Sequence, residues 1–137
     1  MPTLTRWMIR ASLLWLAAGV LLQLALSLRW PSLPWLSALS PFAIHIFTLG
    51  WLTQLIFGMV YWMFPKASLE RPRGSPSLGW IAFVGLNAGL VLRGFGEAGL
   101  VPAPGGTWGW ALPLAATLHW IAGMAFIANT WGRVRER

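Results

Sequence analysis

An all-α integral membrane protein, built as a four-transmembrane-helix bundle with both termini in the cytoplasm, is the fold class this sequence predicts. Three observations predict it. The 137-residue chain is 57% hydrophobic and only 9% charged, where a soluble domain carries about 25% charged residues. Four apolar segments are each long enough to cross a bilayer, which takes about 20 residues. The basic residues gather in alternate connections rather than along the whole chain, the pattern that sets membrane orientation. This composition excludes a soluble globule and a disordered tail. With no Cys, it also excludes a disulfide-stapled domain, thiol chemistry, iron–sulfur clusters and c-type haem attachment.

The spans are predicted at residues 11–28, 41–64, 78–100 and 112–131, all within one membrane domain covering 1–137. Trp30, Pro31, Pro34 and Trp35 end the first. Pro65, Pro72, Gly74 and Pro76 form the second break, and Pro102, Pro104, Gly105 and Gly106 the third. Pro41 and Pro113 fall in first helical turns, where the missing N–H costs nothing. The segment around residues 30–40 is expected to lie in the interface. The first apolar run begins late and is followed by three more, so a cleaved signal peptide is not expected.

Arg6 and Arg10 precede the first span; Lys66, Arg71 and Arg73 divide the second from the third; Arg133, Arg135 and Arg137 follow the fourth. Eight of the ten basic residues thus fall on one side, with Arg29 opposite and Arg93 inside a span. The positive-inside rule makes that side cytoplasmic. The net charge of +7 then reads as topology. The clusters are short and lie at helix ends, so nucleic acid is not an expected partner. Of eleven Trp, Trp7, Trp30, Trp35, Trp62, Trp108, Trp110 and Trp131 fall near span ends, as an interfacial belt does. Trp15, Trp51, Trp80 and Trp120 lie deeper and are expected to pack inside.

Ionisable groups within spans are costly and are functional candidates. His45, Arg93, Glu97 and His119 are the four in the outer half. At 1.5 Å per residue, His45 lies about 6 Å and His119 about 9 Å from their outer helix ends. Counted from the inner ends, the two differ by about 10 Å. Arg93 and Glu97 are spaced i,i+4 and can pair, or Arg93 can face an anionic group, since its planar fork binds carboxylates. Each histidine either hydrogen-bonds a neighbouring helix or ligates a metal as neutral imidazole. The second and fourth spans run in the same direction, so His45 and His119 have the arrangement of a bis-His haem. Thr48, Gln54 and Asn87 are secondary polar candidates. Tyr61, Asn129 and Thr130 fall toward the inner end. Gly85 and Gly89 form a GxxxG pair, and Gly50 and Gly58 share a face of the second span. Such small residues admit close helix approach, within the chain or in a homodimer, or make room for a flat macrocycle.

Residues 41–66, PFAIHIFTLGWLTQLIFGMVYWMFPK, resemble the second transmembrane helix of haem–copper oxidase subunit I. The similarity is to the branch of cbb3-type oxidases and nitric oxide reductases. His45, Gly50–Trp51, Gly58, Tyr61 and Pro65 carry the pattern. Asn87, Leu90, Leu92 and Arg93 look like small four-helix relatives of that subunit. The resemblance implies that His45 ligates a low-spin haem b, and that the chain works in respiration or denitrification in the bacterial inner (cytoplasmic) membrane. A full subunit I has about twelve helices and six ligating histidines; two histidines cannot build its binuclear centre, so no enzyme activity on oxygen or nitric oxide is expected of this chain alone. Three readings follow. The first is a cytochrome b-like protein, holding one haem between His45 and His119 with Arg93 beside the propionates, for electron transfer or haem handling next to a respiratory complex. The second is a cofactor-free accessory or assembly subunit. The third is a small metal-ion carrier or transporter using His45, Glu97 and His119.

Overall fold

The computed structural model describes residues 1–28, 34–100, 106 and 108–134. Among these the chain is helical, without a strand. The elements are α1 (Thr3–Ser27), α2 (Pro34–Ala38), α3 (Ser40–His45), a π-helical stretch (Ile46–Thr53), α4 (Gln54–Met63), α5 (Pro76–Leu100), α6 (Ala111–Thr130) and a closing 3₁₀ turn (Trp131–Arg133). Four helical runs are long and apolar enough to cross a membrane: Thr3–Ser27, Ser40–Met63, Pro76–Gly99 and Ala111–Arg133. Arg29, Trp30, Pro31, Pro102, Pro104, Gly105, Arg135 and Arg137, together with the Trp35 side chain, lie outside the described residues.

The spans come close to the predicted ones, with two differences. The first begins at Thr3 rather than at residue 11. Arg is a good helix former, so Arg6 and Arg10 extend the helix, and Leu4, Thr5 and Met8 are buried on its inner face. The second span is not a uniform α-helix. After His45 the backbone widens into π turns through Thr53, whose i→i+5 bonding offsets the faces above and below it. Gly50 lies in this stretch with Trp15 and Leu90 packed on it; a Cβ there would stand 2.9 Å from Trp15 and 3.1 Å from Leu90. The span ends where Pro65 forces it to. Phe64 is extended at φ −64° and ψ 152°, as a residue before proline prefers.

The four spans form two hairpins. The first two spans pack along each other, with Gly58 of α4 against Met8 of α1. The α5–α6 pair packs more closely still. A Cβ on Gly85 would lie 3.0 Å from both the Ala122 Cβ and the Leu118 carbonyl oxygen, and Gly89 meets His119 and Ala115. The GxxxG face is therefore filled by α6 of the same chain, and is not open for a second copy or a macrocycle. The second and fourth spans meet through side chains. Phe57 and Phe126 bridge them, stacked with ring centroids 3.6 Å apart and planes 4° apart.

One end of the bundle is held by polar stitching. Arg133 is 1% exposed. Its guanidinium donates to the carbonyls of Pro65 (2.9 Å), Tyr61 (3.2 Å) and Phe64 (2.9 Å), the carbonyls left without an intrahelical partner where α4 stops. Asn129 accepts from the Ser75 N–H at 2.7 Å and donates to the Arg73 carbonyl, so the connection folds onto α6. Leu4, Met8, Tyr61, Ala82 and Ala125 form the core cluster beneath. Pro2, Arg71 and Arg73 line one cavity here, so the N-terminus, the middle connection and the end of α6 share one end of the bundle.

Two tryptophans differ from expectation. Trp80 and Trp120 are 40% and 66% exposed, so they face lipid rather than the interior. Trp80 borders an apolar groove with Gly85, Leu118 and Ile121 on the outer side of the α5–α6 contact. Trp15 does pack inside, and its indole N–H donates to Asn87.

Candidate functional site

The end of the bundle opposite Arg133 carries the ionisable residues singled out in the sequence. His119 lies on α6 at the glycine seam. Its Nε2–Cδ2 edge sits on Gly89, where a Cβ would come within 2.5 Å of Nε2. Only a glycine leaves room for an imidazole at that point of a helix contact. The ring leans on the Leu86 carbonyl, with His45 and Arg93 near enough to act on it electrostatically. The two histidines thus lie at the same end of the bundle, within electrostatic reach of each other.

His45 is partly exposed, and its Nδ1 lies 2.9 Å from the Pro41 carbonyl oxygen. A carbonyl only accepts, so Nδ1 carries a hydrogen, and in the ring's uncharged form the lone pair lies on Nε2. That is the tautomer a metal-binding histidine adopts when a backbone carbonyl orients it. Nε2 of His119 is buried without a hydrogen-bond partner. One imidazole is oriented by a carbonyl and the other has an unpartnered nitrogen, but that nitrogen faces Gly89 in the α5–α6 contact, so holding a haem iron would require the His119 ring to turn out of the seam.

Arg93 and Glu97 pair as their spacing allows, with Nε 2.8 Å from Oε1. The approach is off the N–H direction, so it is a charge contact rather than a hydrogen bond, and Glu97 Oε2 has no donor. Glu97 is 6% exposed, and the guanidinium is what neutralises it there. Arg93 therefore already has an anion. Among the described residues, His45, Glu97 and His119 do not form a group of three that could hold a metal ion.

The secondary candidates part company. Thr48 is exposed and its hydroxyl donates to the Ile44 carbonyl on its own helix at 2.8 Å, away from the histidines. Gln54 and Asn87 join a separate network near the midplane. Trp15 donates to Asn87 Oδ1 at 2.8 Å, Asn87 donates to Gln54 Oε1 at 3.0 Å and to the Phe83 carbonyl, and Gln54 donates to the Met8 carbonyl. The network ties three spans together and satisfies its members internally, as polar groups in lipid require.

The sequence places Arg133 among the charges that follow the fourth span, and the structure shows it buried against the end of α4. The one signal available was its place across from Pro65, and a single sequence does not reveal that pairing. In comparisons with known families, characterised proteins and solved structures, the chain matches none.

Proposed function

We propose that this protein is a small haem–copper-oxidase-like membrane protein that binds one b-type haem through His45 and His119, for electron transfer or haem handling beside a respiratory complex. The observation that supports the reading is that His45 and His119 lie at the same end of the bundle, near enough for one to act electrostatically on the other. His45 is held by the Pro41 carbonyl in the ligating tautomer, and His119 has an unpartnered Nε2. The likeness of residues 41–66 to the low-spin-haem helix of subunit I agrees with it. His45 and His119 would hold the group, and a haem held by both would supply one-electron transfer rather than gas activation. Arg93 would lend positive charge at that end while remaining paired with Glu97. The charge pattern favours an inner membrane with the Arg133 end in the cytoplasm.

A second reading, a cofactor-free accessory subunit, is favoured by the seat of His119 on Gly89, which serves helix packing as it stands. A reduced-minus-oxidised visible spectrum of the protein purified from haem-replete cells separates the two. The haem reading expects a b-type band that is lost in both His45→Ala and His119→Ala. A colourless preparation sinks it. A band lost in His45→Ala but kept in His119→Ala leaves the likeness to subunit I intact and removes the shared ligation.

A further inference from the structure

The Arg133 end of the bundle carries more positive charge than its own residues neutralise. Among the described residues the one ion pair is Arg93–Glu97, at the far end. Among the described residues Lys66, Arg73 and Arg133 make no ion pair, and the one carboxylate at this end, Glu70, lines a neighbouring cavity with Arg73. Arg73 stands near enough to Arg133 to oppose its charge. The Arg133 Nη1 and the Arg73 Nε are both buried without a hydrogen-bond acceptor. A buried cationic N–H without a partner is costly, so an anion within electrostatic reach of these two groups would be favoured.

There is space for one. A cavity of about 400 Å³ opens between the end of α4 and the connection to α5, lined by Trp62, Phe64, Pro65, Lys66, Pro72 and Arg73. That is within the size range of small-molecule sites. Phe64 and Pro65 form one wall, and their carbonyls are the ones Arg133 holds, so its guanidinium stands behind that wall. The cavity thus has one ammonium and one guanidinium on its lining and a second guanidinium behind it. Trp62, 40% exposed, borders it, as tryptophan does at headgroup depth.

We infer that this cavity binds the phosphate of an anionic group, with Lys66 and Arg73 as its contacts and Arg133 as the charge behind them. The two sources of that chemistry are a phospholipid headgroup and free phosphate. Basic pockets between spans at the cytoplasmic face suit the first.

The test compares wild type, Lys66→Gln and Lys66→Gln/Arg73→Gln. Lipid retention is read by native mass spectrometry after exchange into mixed phosphatidylglycerol and phosphatidylcholine. Melting is read with and without inorganic phosphate. Each basic side chain near a membrane surface is worth about fivefold in binding. The expected preference of wild type for phosphatidylglycerol falls about fivefold in the single variant and about 25-fold in the double. Lys66 is exposed, so the single variant keeps the fold even if Arg73 proves necessary to it. A melting shift with phosphate, absent from the double variant and without lipid preference, supports the site with free phosphate as its source. No preference and no shift, or a preference that both variants keep, overturns the inference.

Discussion

The two ends of this bundle use their buried polar groups differently. At the Arg133 end, the guanidinium spends three N–H donations on the carbonyls where α4 stops, and Asn129 closes the turn before α5. At the histidine end, Nε2 of His119 and both carboxylate oxygens of Glu97 lack hydrogen bonds. In lipid no water is present to make up the difference. Such atoms in a well-packed interface mark a place where stability is not the whole purpose. The first end fastens helices to each other through its polar groups, whereas at the second the one ion pair, Arg93 with Glu97, stays within α5. The unpaired cations around the Lys66 cavity qualify this contrast, since that end fastens the helices and still leaves charge over.

The largest effect is expected at the fastening end. Arg133→Ala leaves the carbonyls of Tyr61, Phe64 and Pro65 without their donor and opens a void between α4 and α6. Charge-assisted hydrogen bonds contribute about 1.5–3 kcal/mol each. Water reaches carbonyls at a helix end, so a total of about 3 kcal/mol is expected, read as a lowered midpoint of unfolding in mixed micelles. A loss below about 1 kcal/mol, the scale of an ordinary single hydrogen bond, would mean that the carbonyl cage does not fasten the helices.

A smaller loss, about 2 kcal/mol, is expected for Gly74→Ala. Gly74 has φ +74°, a conformation that costs an L-residue about 1–2 kcal/mol. The added methyl would also strike Asn129 Oδ1, the acceptor for the Ser75 N–H. The same micelle measurement checks it. An unchanged midpoint would show that the turn relaxes away from α6 at no cost.

Both positions show how much of the molecule a single sequence exposes. The four spans were legible because lipid demands about 20 apolar residues in a row, and the breaks because prolines and glycines punctuate them. The shared end of Lys66, Arg71, Arg73 and Arg133 was legible through charge alone. The π-helical stretch from Ile46 to Thr53 was not. In a helix apolar on most sides, hydrophobic period carries little information, and a widened turn leaves no trace in it. Burial was misjudged at Trp80 and Trp120 for a related reason: lipid and protein interior are both apolar, so hydropathy does not distinguish them. The i,i+4 pairing of Arg93 with Glu97 could be read because it is local. The seat of His119 on Gly89 joins two helices. GxxxG announced a close contact on α5 but not which residue of α6 would fill it.

The smallest effect, and the one that sharpens the contrast most, is expected at His119. In protein prepared without haem, His119→Leu replaces an imidazole with an unsatisfied nitrogen by an apolar side chain of similar bulk. Removing a buried polar atom that has no partner recovers part of its desolvation penalty, about 1–3 kcal/mol. Against this, a γ-branched side chain fits the Gly89 notch less well than a flat ring. The net change expected lies between zero and a gain of about 1 kcal/mol, whereas Arg133→Ala is costly in the same assay. A loss above about 2 kcal/mol, the scale of cavity formation or overpacking in a core, would make His119 a fastening residue like Arg133. The two ends would then be alike, and the best argument for a ligand at the histidines would be gone.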